Sequence, residues 1–570
     1  MKECWEELYG SQENALLQSF MEDLEKTASE TGPPQQSEWY KDAIVYSLYV
    51  DLFNHDLAGL KEKLDYLGNL GVNCLWLLPV LDSPMRDAGF DISNYRKIRD
   101  DLLGSEGPYS VEDSSRIFGS FLEEAHKKDI KVIFDIAINH ISDQHSWFRE
   151  ARKSEDNPYR DYFIWSKDTN RYKEARLLFK GMCPSNWEKD GDSDWYYFHR
   201  FFEFQPDLNY RNPRVLLEMS SNFLFWLKLG VDGFRADAIP YLWKEKGTDC
   251  ENLPQTHTIV RFFRAAIEYA RPNTLLLAEA CQKPKDIVRY LETEEECNAG
   301  YHFPLMPQMF KAIAQQSREP VIKTLDISTT PEIPPSSQWF TFLRCHDELS
   351  LELVYISEED RKYIHEHYCH KPEWDFRVGE GISARLSELM QMDVRKISAA
   401  YSLMLSLPGT PVIYYGDEYG KANDMDYYRE MIKMTGKDDT RFLVRGRMDW
   451  EEINKELNDP ESFSYKVYQR VSKMIRTRKE HAAFGRGKLE WKVVQQIGKS
   501  NDDEIVAFLR THKCERVLII QNLSEQTIPV IYPEKVLADF ELDLLGQKVV
   551  RDVADNTIVL EPYAYYWFLT

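Results

Sequence analysis

Eight short apolar runs separated by amphipathic stretches, two long interruptions, and an all-β texture after Gly485 predict an α/β chain. The predicted architecture is a closed (β/α)8, or TIM, barrel with an inserted subdomain after the third strand and a C-terminal antiparallel β-sandwich. The length of 570 residues would otherwise divide into three or four domains at roughly 150 residues each, but a barrel absorbs more chain as one unit. The expected boundaries are a helical extension over 1–38, the barrel over 39–485 with its insertion at 141–208, and the sandwich over 486–570.

Leu16, Phe20 and Leu24 recur at helical spacing before the breaker Gly32-Pro33-Pro34, so the chain opens on an acidic helix and a linker. The strands predicted next are Ala43–Phe53, Cys74–Val80, Val132–Ile138, Gly233–Ala238, Thr274–Ala280, Ala299–Pro304, Trp339–Cys345 and Pro411–Asp417. Leu57, Leu60, Leu64 and Leu67 form one face of a helix between the first two, capped by Asp56. Further helices are expected over Pro213–Gly230 and Asp393–Leu407. The stretch from His140 to Asn212, and the charge- and His-rich stretch Glu348–Met392, are too long for plain connections and read as lids or small subdomains. Strands over Val493–Gln496, Ile505–Leu509, Val517–Gln521, Thr527–Tyr532 and Ala564–Leu569 would build the terminal sandwich.

Composition narrows the partners. The balance of Lys plus Arg against Asp plus Glu is 71 − 94 = −23, a surface that repels phosphates and excludes nucleic acid and anionic membrane. No run reaches the ~18 apolar residues of a membrane span. The opening MKECWEELYGSQENALLQ lacks the basic-then-apolar order of a signal peptide. The nine scattered cysteines contain no CxxC pair, so neither a zinc knuckle nor a disulfide framework is expected, and the location read from these features is cytoplasmic. Aromatics at 13% serve equally as core fillers or as faces for sugars.

Chemistry is carried by acids that terminate apolar strands. Burying a carboxylate costs several kcal/mol unless it is paired, yet it recurs in Val132-Ile-Phe-Asp135-Ile-Ala-Ile-Asn139-His140, Gly233-Phe-Arg235-Ala-Asp237-Ala, Leu275-Leu-Leu-Ala-Glu279-Ala and Phe342-Leu-Arg344-Cys345-His346-Asp347-Glu348. Each alone could be a buried ion pair or helix cap; four on strands of one barrel converge on one pocket. Arg235 and Asp237 differ by two and share a strand face, so the guanidinium should keep Asp237 ionised, as a nucleophile requires. Glu279 follows three leucines, and partial desolvation should raise its pKa, as a general acid requires. The pair suits a retaining glycosidase, with carboxyl groups about 5–5.5 Å apart, and Asp347 would hold sugar hydroxyls.

These blocks resemble the signature regions of the α-amylase superfamily, glycoside hydrolase family 13, in order along the chain. The resemblance implies Asp237 as nucleophile, Glu279 as acid/base and Asp347 as transition-state stabiliser. It also implies that Arg235, His140 and His346 orient the nucleophile and grip sugar hydroxyls. Asp87-Ala-Gly-Phe90 resembles the family's Asp-x-Gly-Tyr, with Phe90 stacking under the sugar but lacking the usual hydroxyl. In the family that Asp often pairs with an arginine after the eighth strand, and Arg445 is the expected partner, closing the pocket at one glucose unit. Cys345 stands where Asn is usual.

Within the superfamily, Gln205-Pro206-Asp207-Leu208-Asn209 resembles the branch acting on small α-glucosides. Gly247–His257 resembles a segment shared by trehalose synthases and amylosucrases, and Ser146–Phe148, Tyr172–Phe204, Tyr301–Met306 and Leu343–Val354 resemble trehalose synthases, which implies interconversion of maltose and trehalose. The shortened first loop, Val50–Leu57, and Trp243-Lys244 look instead like amylosucrases. Because Ca²⁺ wants an all-oxygen shell, an ammonium at Lys244 implies no calcium, and no other metal or cofactor is expected. The alternatives are α-glucosidase or α-amylase-type hydrolysis, glucosyl transfer from sucrose, or a non-catalytic barrel, the last disfavoured by the intact acids. The expected partner is a small neutral sugar.

Overall fold

The structure, a computed structural model, describes every residue except 12, 180–181, 498–502, 532–541, 553–556 and 570. Eight strands close into an all-parallel barrel: β1 Val45–Leu48, β2 Cys74–Leu77, β3 Lys131–Ala137, β4 Gly233–Asp237, β5 Leu275–Ala278, β6 Ala299–Tyr301, β7 Gln338–Phe342 and β8 Thr410–Tyr414. Each strand pairs with its sequence neighbours, and β8 returns to β1 with Val45 opposite Val412. The strands are buried almost throughout, and so read as apolar runs rather than alternations.

All eight predicted strands are present, but the first is shorter than expected. After Leu48 the apolar run continues as a helix, Val50–Asn54, instead of strand to Phe53. A continuous buried apolar run carries no periodicity to separate strand from helix. Asp56 does cap the next helix, accepting from the Gly59 N–H at 2.8 Å.

The N-terminal extension forms two helices, α1 Lys2–Tyr9 and α2 Asn14–Glu30. Trp5 and Phe20 both pack on Phe262 of helix α3, Pro254–Ala270, which precedes β5. Glu7 accepts from Thr258 and Arg261 at 2.6 and 2.8 Å, and Gln35 donates to the Asp232 carbonyl at 2.9 Å. The extension is thus fused to the barrel wall.

The chain between β3 and β4 folds as a small three-stranded sheet (Trp165–Ser166, Tyr196–Phe198, Trp187–Lys189) with aromatic packing of Tyr172, Trp187 and Phe198. The stretch after β7 builds a helix, Glu358–Tyr368, and a second three-stranded sheet in which Leu349–Ser350 pairs with Gly381–Ile382. Beyond the barrel, sheets of five and four strands enclose a separate apolar core, including Ile505, Leu518, Ile520, Ile558 and Phe568. Strand Lys488–Trp491 on the five-stranded sheet was not anticipated, because its alternation of charge and apolar residues is short. Of the predicted strand Thr527–Tyr532, residues Ile528–Ile531 pair in the smaller sheet and Tyr532 lies outside the described residues. Among the described residues, no helix is long and apolar enough to cross a membrane.

Candidate active site

Parallel register brings the acids together. Asp135 on β3 sits opposite Arg235 on β4, and Ala137 opposite Asp237. Arg235 Nη1 therefore reaches both carboxylates, ion-pairing with Asp135 and donating to Asp237 Oδ1 at 2.8 Å. The Trp76 indole of β2 donates to the other Asp135 oxygen at 2.8 Å, so Asp135 is an anchor beneath the site and does not line the cavity. Just past β5, Glu279 Oε2 accepts from the Ala238 N–H at 3.0 Å. Asp237 and Glu279 are consequently held by adjacent strand ends.

The expected pull of Arg235 on Asp237 is present but is outweighed by burial. Burial pushes the Asp237 carboxyl above the ordinary carboxylate range; Arg235 pulls it down, and the like charge of Glu279 opposes ionisation further. Burial also raises Glu279, against the pull of Arg235 and the Ala238 N–H. Two desolvated carboxyls in one cavity titrate as a pair and favour sharing one proton.

Asp347 has the opposite setting. Burial works against its charge, but His346, Arg441 and Arg445 outweigh that and hold it well below the usual carboxylate range. Arg441 Nη1 donates to Asp347 Oδ1 at 3.2 Å, and Arg445 Nη2 donates to the same oxygen at 2.8 Å. His346 Nε2 lies 3.1 Å from the other oxygen, and its ring stacks on Phe90 with centroids 5.6 Å apart.

Here the expected partner of Asp87 is corrected. Arg445 is turned toward the barrel, donating to the His346 carbonyl at 2.7 Å and to Asp347, and does not line the cavity. Arg441 takes the place opposite Asp87, 3.6 Å away, and is clamped by Asp439 on three hydrogen bonds of 2.6–3.0 Å. Arg441 lies within one 3-10 turn, Thr440–Val444, and Arg445 caps its C-terminal end. The signal was Asp439-x-Arg441, an acid two residues before an arginine.

His140 closes the ring. A backbone bridge ties it to Asp207, and Gln205 Nε2 approaches it at 3.4 Å while donating to Asp87 Oδ2 at 2.9 Å. Burial lowers the imidazole to about 4, leaving it neutral at pH 7. Asp87, Phe90, His140, Arg235, Asp237, Glu279, His346 and Asp347 all line one cavity of about 140 Å³. That is smaller than the roughly 300–1,000 Å³ of sites for drug-sized ligands, and the cavity is partly open to solvent beneath its roof.

Both insertions supply the roof. Phe179 and Arg176 come from the first, and Glu348, Glu352 and Arg377 from the second. The Arg377 guanidinium lies over the Phe179 ring at 4.3 Å and 3.7 Å from Glu352, and Arg176 reaches Glu352 at 3.5 Å. Arg176 is itself held by Glu251 at 2.8 Å, which gives the segment Gly247–His257 its place in the site. Its Asn252 and His257 do not face the cavity: Tyr290 OH donates to Asn252 at 2.7 Å, and His257 stacks on Tyr290 and pairs with Glu296. Cys281 and Cys345 also line the wall.

Below the roof, Lys244 Nζ lies 2.7 Å from both Asn139 Oδ1 and Asp207 Oδ2, all wholly buried.

Residues 18–487 match the family described as alpha amylase, catalytic domain, and residues 494–567 match maltogenic amylase, C-terminal domain. The chain is 37% identical to "Trehalose synthase/amylase TreS" of Mycolicibacterium smegmatis, over 94% of this chain and 93% of that protein. It is 36% identical to "Trehalose synthase" of Pimelobacter sp. (strain R48), over 94% and 96%. Among solved structures it is similar to a "Family GH13_31 enzyme", with 25% identity, a TM-score of 0.68, and coverage of 93% and 99%.

Proposed function

Because the chain belongs to the α-amylase family of glycoside hydrolases, family 13, we propose that it interconverts maltose and trehalose by a retaining double displacement within one cavity roofed by the two insertions. The observation that carries this reading is the roof joined by Arg377, Phe179 and Glu352 above the three acids. A transferase must keep water from its intermediate, and side chains bridging the two insertions over the acids restrict water's entry.

Asp237 attacks the anomeric carbon of the non-reducing glucose while Glu279 gives its proton to the departing O4, breaking the C1–O4 bond. The shared proton starts on Glu279, because Arg235 donates to Asp237 and favours its charged form. The freed glucose turns and presents its anomeric hydroxyl. That oxygen bonds to C1, its proton passes to Glu279, and the ester electrons return to Asp237. Asp347 and neutral His140 bind hydroxyls, Phe90 lies under the ring, and Asp87 with Arg441 holds the non-reducing end. Incubation with maltose, and separately with sucrose, tests the reading: trehalose supports it, glucose alone makes the enzyme a hydrolase, and fructose release makes it a sucrose enzyme.

Three outcomes follow from these roles. Arg441→Ala lowers kcat/KM for maltose by about 10²-fold through misplacement of Asp87, whereas Arg445→Lys leaves the KM largely unchanged. The acid limb of the kcat/KM profile reports ionisation of Asp237 and lies above pH 4, since burial raises that group. Replacing Arg235 by Gln removes the charge that pulls it down, so the limb moves further toward alkaline pH. Finally, Arg377→Ala loosens the roof and raises the glucose-to-trehalose ratio severalfold. That change in partition, at unchanged Asp237 and Glu279, is read by chromatography of the products.

The residues around Lys244 do not fit calcium. Asn139 and Asp207 turn their oxygens on an ammonium, which takes the place a cation would need among oxygen ligands. The enzyme is read as needing no metal or cofactor, so chelation with EDTA leaves turnover intact. A small neutral sugar fits a surface of net charge −23, which offers no steering to anions. The nine unbridged thiols support a reducing, cytoplasmic setting.

A further inference from the structure

Among the described residues, one group of metal-ligating side chains converges: Cys345, His346 and Asp347, whose ligand atoms all lie within 4.8 Å of one another. We propose that these three residues form an inhibitory zinc site in the wall of the sugar cavity.

The donor set is the first argument. Thiolate, imidazole and carboxylate together match Zn²⁺ rather than Ca²⁺ or Mg²⁺, and three protein ligands with an open fourth position give the incomplete tetrahedron of a reactive zinc site. Atoms around such an ion sit about 3.5 Å apart, so side-chain rotations that draw the three in by about an ångström suffice. Cys345 stands where the family usually carries Asn, and it replaces a poor zinc ligand with a good one.

Free valence is the second. His346 is buried, and its Nδ1 has no hydrogen-bond partner, while Nε2 makes only the 3.1 Å contact with Asp347. A buried imidazole nitrogen without a partner is uncommon. Both guanidiniums that hold Asp347 use Oδ1, leaving Oδ2 toward the histidine. Cys345 is buried and lines the cavity, and its sulfur meets the Asp347 backbone N–H.

The field is the third. The cavity wall carries six carboxyl groups against four guanidiniums, so a negative charge remains even with one proton shared by Asp237 and Glu279. Entry of Zn²⁺ displaces the thiol proton to solvent and forms bonds to sulfur, nitrogen and oxygen; no electron is transferred. The ion occupies the Asp347 oxygen that the sugar would use, so zinc and sugar compete. That competition, unlike binding itself, rests on the α-glucoside reading.

Titration of the full-length, EDTA-treated protein with Zn²⁺ alone by calorimetry, and with Co²⁺ by absorbance, tests the site. The expected result is one tight equivalent and a thiolate-to-cobalt charge-transfer band. Cys345→Ser removes the band and weakens zinc by about tenfold or more; Cys345→Asn serves as a second variant should the first unfold. Cys281→Ser, at the other thiol of the wall, keeps both signals. Absence of stoichiometric binding, or an unchanged band in either Cys345 variant, overturns the site. Zinc binding without any turnover of maltose would retain the site and overturn the functional reading instead, and turnover without zinc binding the reverse.

Discussion

Asp237→Asn loses turnover of maltose by about 10⁴–10⁶-fold, the scale on which a covalent nucleophile is lost, while the fold persists. The size of the effect follows from the geometry. An amide at this position cannot form the ester, and Asp135, the other carboxylate on Arg235, cannot substitute: it is fixed under Arg235 and the Trp76 indole, away from the cavity. The amide keeps the volume and still accepts from Arg235 Nη1, so Arg235 is not left between two empty partners. Asp237→Ala, by contrast, would leave that guanidinium with Asp135 alone and would confound chemistry with packing. The measurement is single-turnover kinetics on maltose, with circular dichroism showing an unchanged fold. A variant within tenfold of the parent rate would remove Asp237 from the mechanism.

Lys244→Met destabilises the protein by about 3–5 kcal/mol, the cost of leaving a buried charge without its partner. Asp207 has no access to solvent, and the ammonium is its ion-pair partner. Burial lowers the pKa of Lys244, but the charge of Asp207 and its hydrogen bond oppose that fall. The double variant Lys244→Met with Asp207→Asn should recover much of the loss, because the uncompensated charge is gone; a double-mutant cycle measured in denaturant gives the coupling directly. Activity should fall in the single variant too, since Asn139 precedes His140 and Asp207 bridges to it. Added calcium should restore neither property.

Much of this was legible in the sequence. Apolar runs buried on both faces of a parallel sheet leave a strong imprint, and the eight strands were found for that reason. Acids ending those runs are costly unless paired or used, so Asp237, Glu279 and Asp347 stood out. What stayed hidden depends on rotations and on distant partners. Arg441, not Arg445, meets Asp87, from within one short 3-10 turn. Glu348, Arg176 and Arg377 belong to loops whose closure no local pattern encodes. The pKa of Asp237 depends on how thoroughly the insertions exclude solvent, and the neighbouring arginine visible two residues away was the smaller influence.

The roof has a thermal consequence. It is joined across the two insertions by side chains: Arg377 over Phe179, and Glu352 between Arg377 and Arg176. Opening must break these contacts, whereas the turning of a small sugar inside breaks none of them. A trapped glucose therefore chooses between two clocks with different temperature coefficients. Cool conditions favour the slow gate staying shut through several tumbles, and warming shortens the gate's clock faster than the sugar's. The ratio of rearranged disaccharide to escaped monosaccharide should therefore fall on warming, which product analysis at two temperatures checks.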